Sequence, residues 1–183
     1  MFEVLLARIA RGLKQSQIPY MIIGGQAVLV HGEPRLTKDI DVTLGVDLSR
    51  LADVKTTVQK LGLKQIREAS DEFIKHTMVL PAAEETSGIR VDFIFSFTPY
   101  ERQAIERGKE ITILGQKVVF ASAEDTIIHK MFAGRPRDLE DIRGITKHQP
   151  NLDRKYIEKM LDQFSKVSGK DLVKEFQALG NTE

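Results

Sequence analysis

The sequence predicts a mixed α/β protein, with a twisted mixed sheet flanked by helices and a C-terminal helical subdomain. Three observations favour this class. Short apolar runs bounded by glycine or acidic residues indicate buried strands in the first two thirds of the chain. Amphipathic helical patterns separate several of these runs, and from residue 121 the pattern is helical throughout. We therefore expect an α/β core over 1–120 and a helical subdomain over 121–183 that packs on it.

The composition is that of a globular chain with balanced charge. Of 183 residues, 42% are hydrophobic and 29% are charged, and 27 Lys and Arg are matched by 26 Asp and Glu. This balance excludes a protein that binds nucleic acid through bulk positive charge. The absence of cysteine excludes disulfides, thiolate metal sites and cysteine nucleophiles. Because no signal-peptide pattern and no apolar run of about 18 residues occurs, we expect a cytoplasmic protein with no membrane association.

Helical and strand patterns alternate in the first sixty residues. Apolar side chains recur at helical spacing in the first segment, and Pro19 ends that pattern. Two continuous apolar runs then indicate buried strands, the first of which ends at Gly24-Gly25. The expected elements are a helix over 2–17, a strand over 20–23, a helix over 26–31, a strand over 40–44 and a helix from Asp47 to Leu61.

Strand patterns continue to residue 120, and helices follow. Residues 74–80 and 89–95 favour strands by composition and are separated by a polar loop. A small hairpin is expected where Gly115-Gln116 joins two short β-rich runs. The helices predicted after Ser122 cover 124–133, 136–147, 152–165 and 170–179.

A glycine pair, Gly24-Gly25, joins the first predicted strand to the next helix. Glycine lets the backbone approach a phosphate closely, and the N–H groups of a helix N-terminus point toward such an anion. Glycine pairs also occur at turns that bind nothing, so a purely structural turn is the other interpretation.

Two acids lie one pleat apart at the start of the second strand. Residues 35–42 are predicted to be extended, so that side chains two positions apart share a face. The residues on the polar face are Arg35, Thr37, Asp39 and Asp41. Two neighbouring carboxylates repel each other unless they are solvated or bridged, and Mg²⁺ bridges such groups. A solvated strand edge is the alternative for this Asp-x-Asp pattern.

A third acid, Asp92, lies inside the β-branched and aromatic run 89–95. An unpaired carboxylate is costly in such a strand, which makes a functional role as credible as a structural one. As a third carboxylate, Asp92 would complete a two-metal site and take the proton from an attacking hydroxyl.

A compact cationic cluster lies near residue 130. Lys130 lies near the end of one predicted helix, and Arg135 and Arg137 lie in the following turn, an arrangement suited to phosphate oxygens. Asp138 and Asp141 fall in the first turns of the next helix. Charge stabilisation of that helix, together with local ion pairs, is the alternative role for these acids.

The combination of these features resembles the nucleotidyltransferase superfamily with the DNA polymerase β-like fold. The resemblance rests on a hydrophobic-Gly-Gly stretch at 22–25, a gap of twelve residues after Gln26, Asp39-Ile40-Asp41-Val42, and a third acid on a later strand. The longer string from Ile22 to Asp41, and the stretch from Lys130 to Asp141, look like the AbiEii-toxin-like minimal nucleotidyltransferases of bacteria and archaea. One departure is Gln26, where the superfamily often has serine.

The resemblance implies roles for the matching positions. Asp39, Asp41 and Asp92 would bind two Mg²⁺ or Mn²⁺ ions, with Asp92 also the base, and Lys130 would contact the triphosphate as a fourth catalytic residue. The residues that would bind the nucleotide are Gly24, Gly25, Gln26, Arg35, Thr37, Lys130, Arg135, Arg137, Asp138 and Asp141.

The implied activity is transfer of a nucleoside monophosphate from an NTP to an acceptor hydroxyl, with release of pyrophosphate. An RNA end such as that of tRNA, a protein side chain and a small hydroxylated molecule all remain open as acceptors. The toxin-type relatives also imply an antitoxin-type protein partner. A non-catalytic nucleotide-binding or assembly module with the same fold is the alternative. A metal-dependent phosphohydrolase is disfavoured, because the chain lacks a His-rich site.

Overall fold

The computed structural model of the chain describes residues 1–66, 69–96 and 98–180. Its elements, in chain order, are α1 (Phe2–Gln15), β1 (Tyr20–Ile23), α2 (Gly24–His31), β2 (Asp39–Leu44), a 3₁₀ turn (Leu48–Arg50), α3 (Leu51–Lys60), β3 (Leu63–Gln65), α4 (Asp71–Thr77), β4 (Val79–Glu84), β5 (Arg90–Phe95), α5 (Pro99–Glu106), β6 (Lys109–Ile113), β7 (Gln116–Phe120), α6 (Ala123–Ala133), α7 (Pro136–His148), α8 (Arg154–Ser168) and α9 (Leu172–Gly180). Residues 181–183 of the predicted helical subdomain lie outside the described residues.

The strands form one mixed sheet in the order β3-β4-β5-β2-β1-β7-β6. β2 runs parallel to β5 and β1 runs parallel to β7, whereas the other neighbours are antiparallel. The whole sheet belongs to the first of two units into which the chain divides, which comprises residues 1–23 and 37–121. The mixed sheet with helices confirms the predicted fold class.

The helices of the first unit bury one face each. α1 contacts β6 and β7, and its apolar stripe, which includes Leu5, Ile9 and Leu13, is almost fully buried. This is the face that helical spacing predicts. α3 contacts β3, and α4 contacts β4. The hairpin of β6 and β7 is confirmed, although its turn residues are Leu114 and Gly115, both with positive φ.

The second unit is helical and comprises residues 24–36 and the chain from Ser122 onward. It therefore includes α2, a segment that the prediction placed within the 1–120 core. α6 contacts all of the unit's other helices. The Ser122 hydroxyl caps the first turn of α6 by accepting a hydrogen bond from the N–H of Asp125. Gly134, with a φ of 64°, ends the helix. No helix in the described part of the chain is long and apolar enough to cross a bilayer.

The strand predicted over 74–80 is wrong for most of its length. Residues Asp71–Thr77 form α4, and β4 begins only at Val79, after Met78 has ended the helix with a φ of 60°. The Ser70 side chain accepts a hydrogen bond from the N–H of Phe73 and so caps the helix. A local cap therefore outweighs the weak β preference of the side chains that follow it.

The extended conformation predicted for 35–42 is also wrong in its first half, because β2 begins at Asp39. The partners of β2 explain this start. β5 begins at Arg90, opposite Asp39, and β1 ends at Ile23, opposite Asp41. Because no neighbouring strand in the described chain extends further, Arg35 and Thr37 have no ladder to join, and they do not share a strand face with the two acids.

Removal of a large buried side chain of β5 tests this packing. Phe93 is 0% exposed, and we expect Phe93→Ala to lower the free energy of unfolding by about 3–5 kcal/mol, since it leaves a cavity. The control is Phe73→Ala on α4, where the ring is 43% exposed. Urea denaturation followed by circular dichroism measures both variants. Equal losses in the two would contradict the assignment of Phe93 to the core.

Candidate functional site

Three carboxylates share one face of the sheet in the first unit, and we call Asp39, Asp41 and Asp92 the carboxylate cluster. Asp39 and Asp41 are two residues apart on β2, so their side chains leave the strand on the same face. Asp41 is the Cα partner of Asp92 on the parallel strand β5. Partnered residues of neighbouring strands also share a face. The structure therefore brings the three predicted acids to one face of the sheet.

The opposite face of these strands is apolar and closed to solvent. Ile40 and Val42 on β2, and Val91 and Phe93 on β5, are each 0% exposed. A shift of one residue in the register would exchange the two faces and place carboxylates in the core. The burial of these side chains therefore holds the carboxylate cluster in position.

Thr37 and Arg90 contact the carboxylate cluster. The Thr37 hydroxyl lies 3.2 Å from Asp39 Oδ1, to which it donates a hydrogen bond. Arg90 Nε donates to Asp92 Oδ1 at 2.8 Å, and Arg90 is itself the Cα partner of Asp39. This hydrogen bond raises the pKa of Arg90, and the charges of Asp92, Asp39 and Asp41 add to the effect, while burial opposes it.

Sequence reasoning did not find Arg90. The available signal was its position two residues before Asp92, which places both side chains on one face of β5. A cation on the same face as three acids is the arrangement expected when like charges need a counter-ion.

The carboxylate cluster has the right ligands for a hard divalent cation but not the right side-chain arrangement. Carboxylate oxygens are the ligands that Mg²⁺ prefers. Within residues 1–66, 69–96 and 98–180, however, no three His, Cys, Asp or Glu side chains are grouped to hold a metal ion. One oxygen of Asp92 is hydrogen-bonded to Arg90 instead. The donor chemistry of the three carboxylates fits Mg²⁺.

The glycine pair lies in the second unit, at the start of α2. Gly24 has a φ of 63°, a conformation that glycine adopts without strain. The first N–H groups of a helix lack partners within the helix and form an anion site. Gln26 in the first turn is only 5% exposed, and its side-chain Nε2 has no hydrogen-bond partner among the described residues.

The cationic and acidic residues of the second unit form a network, which we call the Lys130 network. Lys130 Nζ donates to Asp138 Oδ1 and lies equally close, at 2.7 Å, to Asp141 Oδ2. Arg35 Nε and a terminal nitrogen of Arg35 donate to the two oxygens of Asp141, at 2.7 and 3.1 Å. Arg135 binds Asp138 through its side chain and its backbone N–H.

The centre of the Lys130 network is buried. The side chains of Lys130, Asp138 and Asp141 are 6%, 2% and 5% exposed. Burial alone would raise the pKa of Asp138, but the hydrogen bonds from Arg135 and Lys130 and the charge of Lys130 lower it below its ordinary value. The Lys130 ammonium group thus contacts two acids in this structure, and its contact with a triphosphate stays a prediction.

A cavity of about 440 Å³ adjoins the network within the second unit. Its charged lining includes Arg35, Arg137, Glu140 and Asp141. Among the described residues, Arg137 donates to the carbonyl oxygen of Leu36, at 3.4 Å, and to no carboxylate, so its guanidinium remains available to an anion. The predicted site residues thus form two groups, one in each unit.

Comparison with known proteins gives a family and a fold. Residues 5–181 match the family described as nucleotidyl transferase AbiEii toxin, type IV TA system. No curated protein sequence matches the chain.

Two solved structures illustrate the similarity of fold. The chain is similar to an antigenic nucleotidyltransferase-like protein from Paracoccidioides brasiliensis, with 18% identity over 96% of this chain and 92% of that one and a TM-score of 0.59. It is also similar to the antibiotic-resistance factor ANT(2'')-Ia, with 18% identity over 91% of this chain and 92% of that one and a TM-score of 0.62. At these identities, the similarity shows a shared fold.

Removal of the central cation tests the Lys130 network. We expect Lys130→Met to lower the free energy of unfolding by about 3 kcal/mol at neutral pH, because two buried carboxylates lose a shared partner. The control is Lys166→Met, which breaks the exposed ion pair with Asp162 and should cost less than about 1 kcal/mol. Urea denaturation measures the free energy of unfolding of both variants. Equal decreases would show that the buried contacts of Lys130 contribute no more to stability than an exposed ion pair.

Because the pKa of Asp138 is lowered in the folded protein, the contribution of the Lys130 network to the free energy of unfolding depends on pH. A carboxyl group whose folded-state pKa lies below its unfolded-state value stabilises the protein above the unfolded-state value, and this contribution is lost as the pH falls through the folded-state pKa. We therefore expect the stability difference between wild type and Lys130→Met to narrow as the pH falls below about 4. Urea denaturation from pH 7 to 3 measures it, and a difference that stays constant would contradict the charge-based account.

Proposed function

This chain belongs to the AbiEii nucleotidyl transferase toxin family, and we propose that it transfers a nucleoside monophosphate from an NTP to an acceptor hydroxyl. The observation that carries this proposal is the carboxylate cluster, in which Asp41 lies opposite Asp92 and Asp39 lies two residues away on the same face. An acidic group of this kind suits phosphoryl transfer, because negative charge on the reacting phosphate needs divalent cations held by carboxylates.

In the proposed reaction, the acceptor oxygen attacks the α-phosphorus of the NTP. The bond from the α-phosphorus to the oxygen that bridges it to the β-phosphorus breaks, and pyrophosphate leaves with that oxygen. Asp92 accepts the proton of the attacking hydroxyl. Asp39, Asp41 and Asp92 would hold Mg²⁺ or Mn²⁺, which when bound stabilises the charge on the phosphoryl oxygens. Thr37 orients Asp39 through the hydrogen bond from its hydroxyl.

Residues of the second unit supply groups that bind phosphate. The N–H groups of Gly24 and Gly25 lie at the start of a helix, and Gln26 Nε2, which has no hydrogen-bond partner among the described residues, is a further donor. Arg137 has no carboxylate partner in the part of the chain that the structure describes, and its guanidinium suits a phosphate oxygen. Arg135 is paired with Asp138, yet 74% of its side chain is exposed. Lys130, Asp138 and Asp141 hold Arg35 and Arg135 in place.

The proposed acceptor is a hydroxyl at an RNA end, such as that of tRNA. Residues 130–147 contain five Lys and Arg and three acids, a local excess of positive charge in a chain whose overall net charge is +1. A small hydroxylated molecule is the competing acceptor. One fold relative, ANT(2'')-Ia, has been solved with adenylyl-2''-tobramycin, at 17% identity over 90% of this chain and 97% of that one and a TM-score of 0.58. The family's assignment to a toxin–antitoxin system supports an antitoxin-type protein partner.

Neutralising two acids tests the proposed chemistry. We expect Asp39→Asn combined with Asp41→Asn to lower NMP transfer by at least about 1000-fold, because several kcal/mol of charge stabilisation depend on those carboxylates. The control is Asp53→Asn on α3, where the side chain is 58% exposed. Transfer is followed with NTPs labelled at the α-phosphate. If the double variant kept wild-type turnover, the mechanism would be refuted, and NTP binding without turnover in wild type would favour the non-catalytic alternative.

The acceptor is identified by incubating the protein and the labelled NTP with total RNA, total protein and small-metabolite fractions separately. We expect label to enter RNA and to be absent when Asp39→Asn/Asp41→Asn protein is used. Label in the metabolite fraction alone would reject RNA as the acceptor while keeping the reaction class.

A further inference from the structure

Arg90 occupies a position in the carboxylate cluster that the proposed chemistry does not use. It lies on the same face of β5 as Asp92 and directly opposite Asp39. Its Nε donates to Asp92 Oδ1 at 2.8 Å. The cluster therefore already has one cationic partner, which is part of the chain itself.

We propose that Arg90 is a positioning residue that acts as a built-in counter-ion, holding Asp92 while the divalent ion is absent and giving it up when the ion binds. This inference rests on the proposed function, because it concerns the same three carboxylates. It adds a specific consequence, namely that Arg90 lowers the affinity of the cluster for metal and so sets the metal concentration at which the site fills.

The first argument is charge. Asp39, Asp41 and Asp92 bring three negative charges to adjacent positions on two paired strands, and like charges at such spacing oppose folding unless they are compensated. The guanidinium of Arg90 compensates one of them. The folded chain therefore tolerates the cluster before any metal arrives.

The second argument is the difference in exposure between the two partners. The Asp92 side chain is only 17% exposed, whereas that of Arg90 is 53% exposed. Asp92 is anchored on the sheet, but the guanidinium can turn into solvent and recover its hydration at little cost. Arg90 is thus the partner that can leave.

The third argument is competition for the same oxygen atoms. A carboxylate accepts from a guanidinium and ligates a metal through the same lone pairs, and two cations next to one carboxylate also repel each other. One oxygen of Asp92, Oδ1, already accepts a hydrogen bond from Arg90. Removal of the Arg90 charge should therefore tighten metal binding rather than weaken it.

The test is the affinity of the full chain for Mn²⁺ without nucleotide, measured by electron paramagnetic resonance of the free ion. We expect Arg90→Gln to bind Mn²⁺ about tenfold more tightly than wild type, a change of about 1.4 kcal/mol, and Arg90→Lys to remain near wild type. The matched control is Arg50→Gln, which removes an arginine from an exposed pair with Asp53 in the same unit. Equal or weaker Mn²⁺ binding by folded Arg90→Gln would overturn the inference.

A second measurement covers the case in which Arg90→Gln folds poorly. In EDTA, we expect the variant to melt at a lower temperature than wild type, because Asp92 loses the guanidinium that neutralises it, and we expect saturating Mn²⁺ to close most of that gap. In an Asp92→Asn background, replacement of Arg90 should no longer tighten Mn²⁺ binding. A melting gap that Mn²⁺ leaves unchanged, or an Arg90 effect that persists with Asp92→Asn, would also overturn the inference.

These results separate the two proposals. If wild type and Arg90→Gln bind Mn²⁺ with equal affinity and wild type transfers NMP, the role of Arg90 is refuted and the proposed function stands. If neither protein binds Mn²⁺ and no transfer occurs, the metal site of the proposed function is refuted together with the role of Arg90.

Discussion

The parallel pairing of β2 with β5 is the constraint on which the carboxylate cluster depends. One face of this pair is made of apolar side chains that are excluded from solvent, among them Ile40, Val42 and Phe93. Their burial is favourable only in the observed register. That register then sets Asp41 opposite Asp92 without any attraction between the two acids. The core thus stabilises an arrangement of like charges that would be unfavourable alone.

The second unit uses a different way to fix charged groups. Lys130, Asp138 and Asp141 are buried together, and each acid also binds an arginine. Buried ion pairs add little to net stability, because desolvation offsets much of their attraction. They do fix geometry, since any other rotamer would leave a buried charge unpaired. Arg35 lies outside regular secondary structure and is held in this way by Asp141 on α7.

The sequence predicts the strands that matter for the site because their signals are local. The apolar runs at 20–23 and 40–44, and the run containing Asp92, are buried strands in the structure. The sequence predicts a strand over 74–80, where the chain forms the last residues of α4, because the composition there is ambiguous and the helix depends on the cap at Ser70. The point at which β2 begins could not be predicted, because it depends on where its partners begin and end.

Ion pairs between residues far apart in the chain cannot be predicted from a single sequence. The partners Arg35 and Asp141 are 106 residues apart, and nothing in their local patterns joins them. For the same reason, the burial of Lys130 between two acids was invisible, although the residues themselves had been singled out. Arg90 was missed for another reason, since a charged residue at a strand start is ordinarily solvated. Its significance appears only when β5 is aligned with β2.

The membership of α2 in the helical unit has a consequence for the order of folding. α2 precedes six of the seven strands in the described chain, but its contacts within that unit are with α6 and α7, which follow the entire sheet. The contacts that these later helices make with α2 therefore form only after the whole sheet has been synthesised. Closing so long a loop slows folding more than it lowers stability. We therefore expect the sheet to form first on the ribosome, with the glycine turn ordered last.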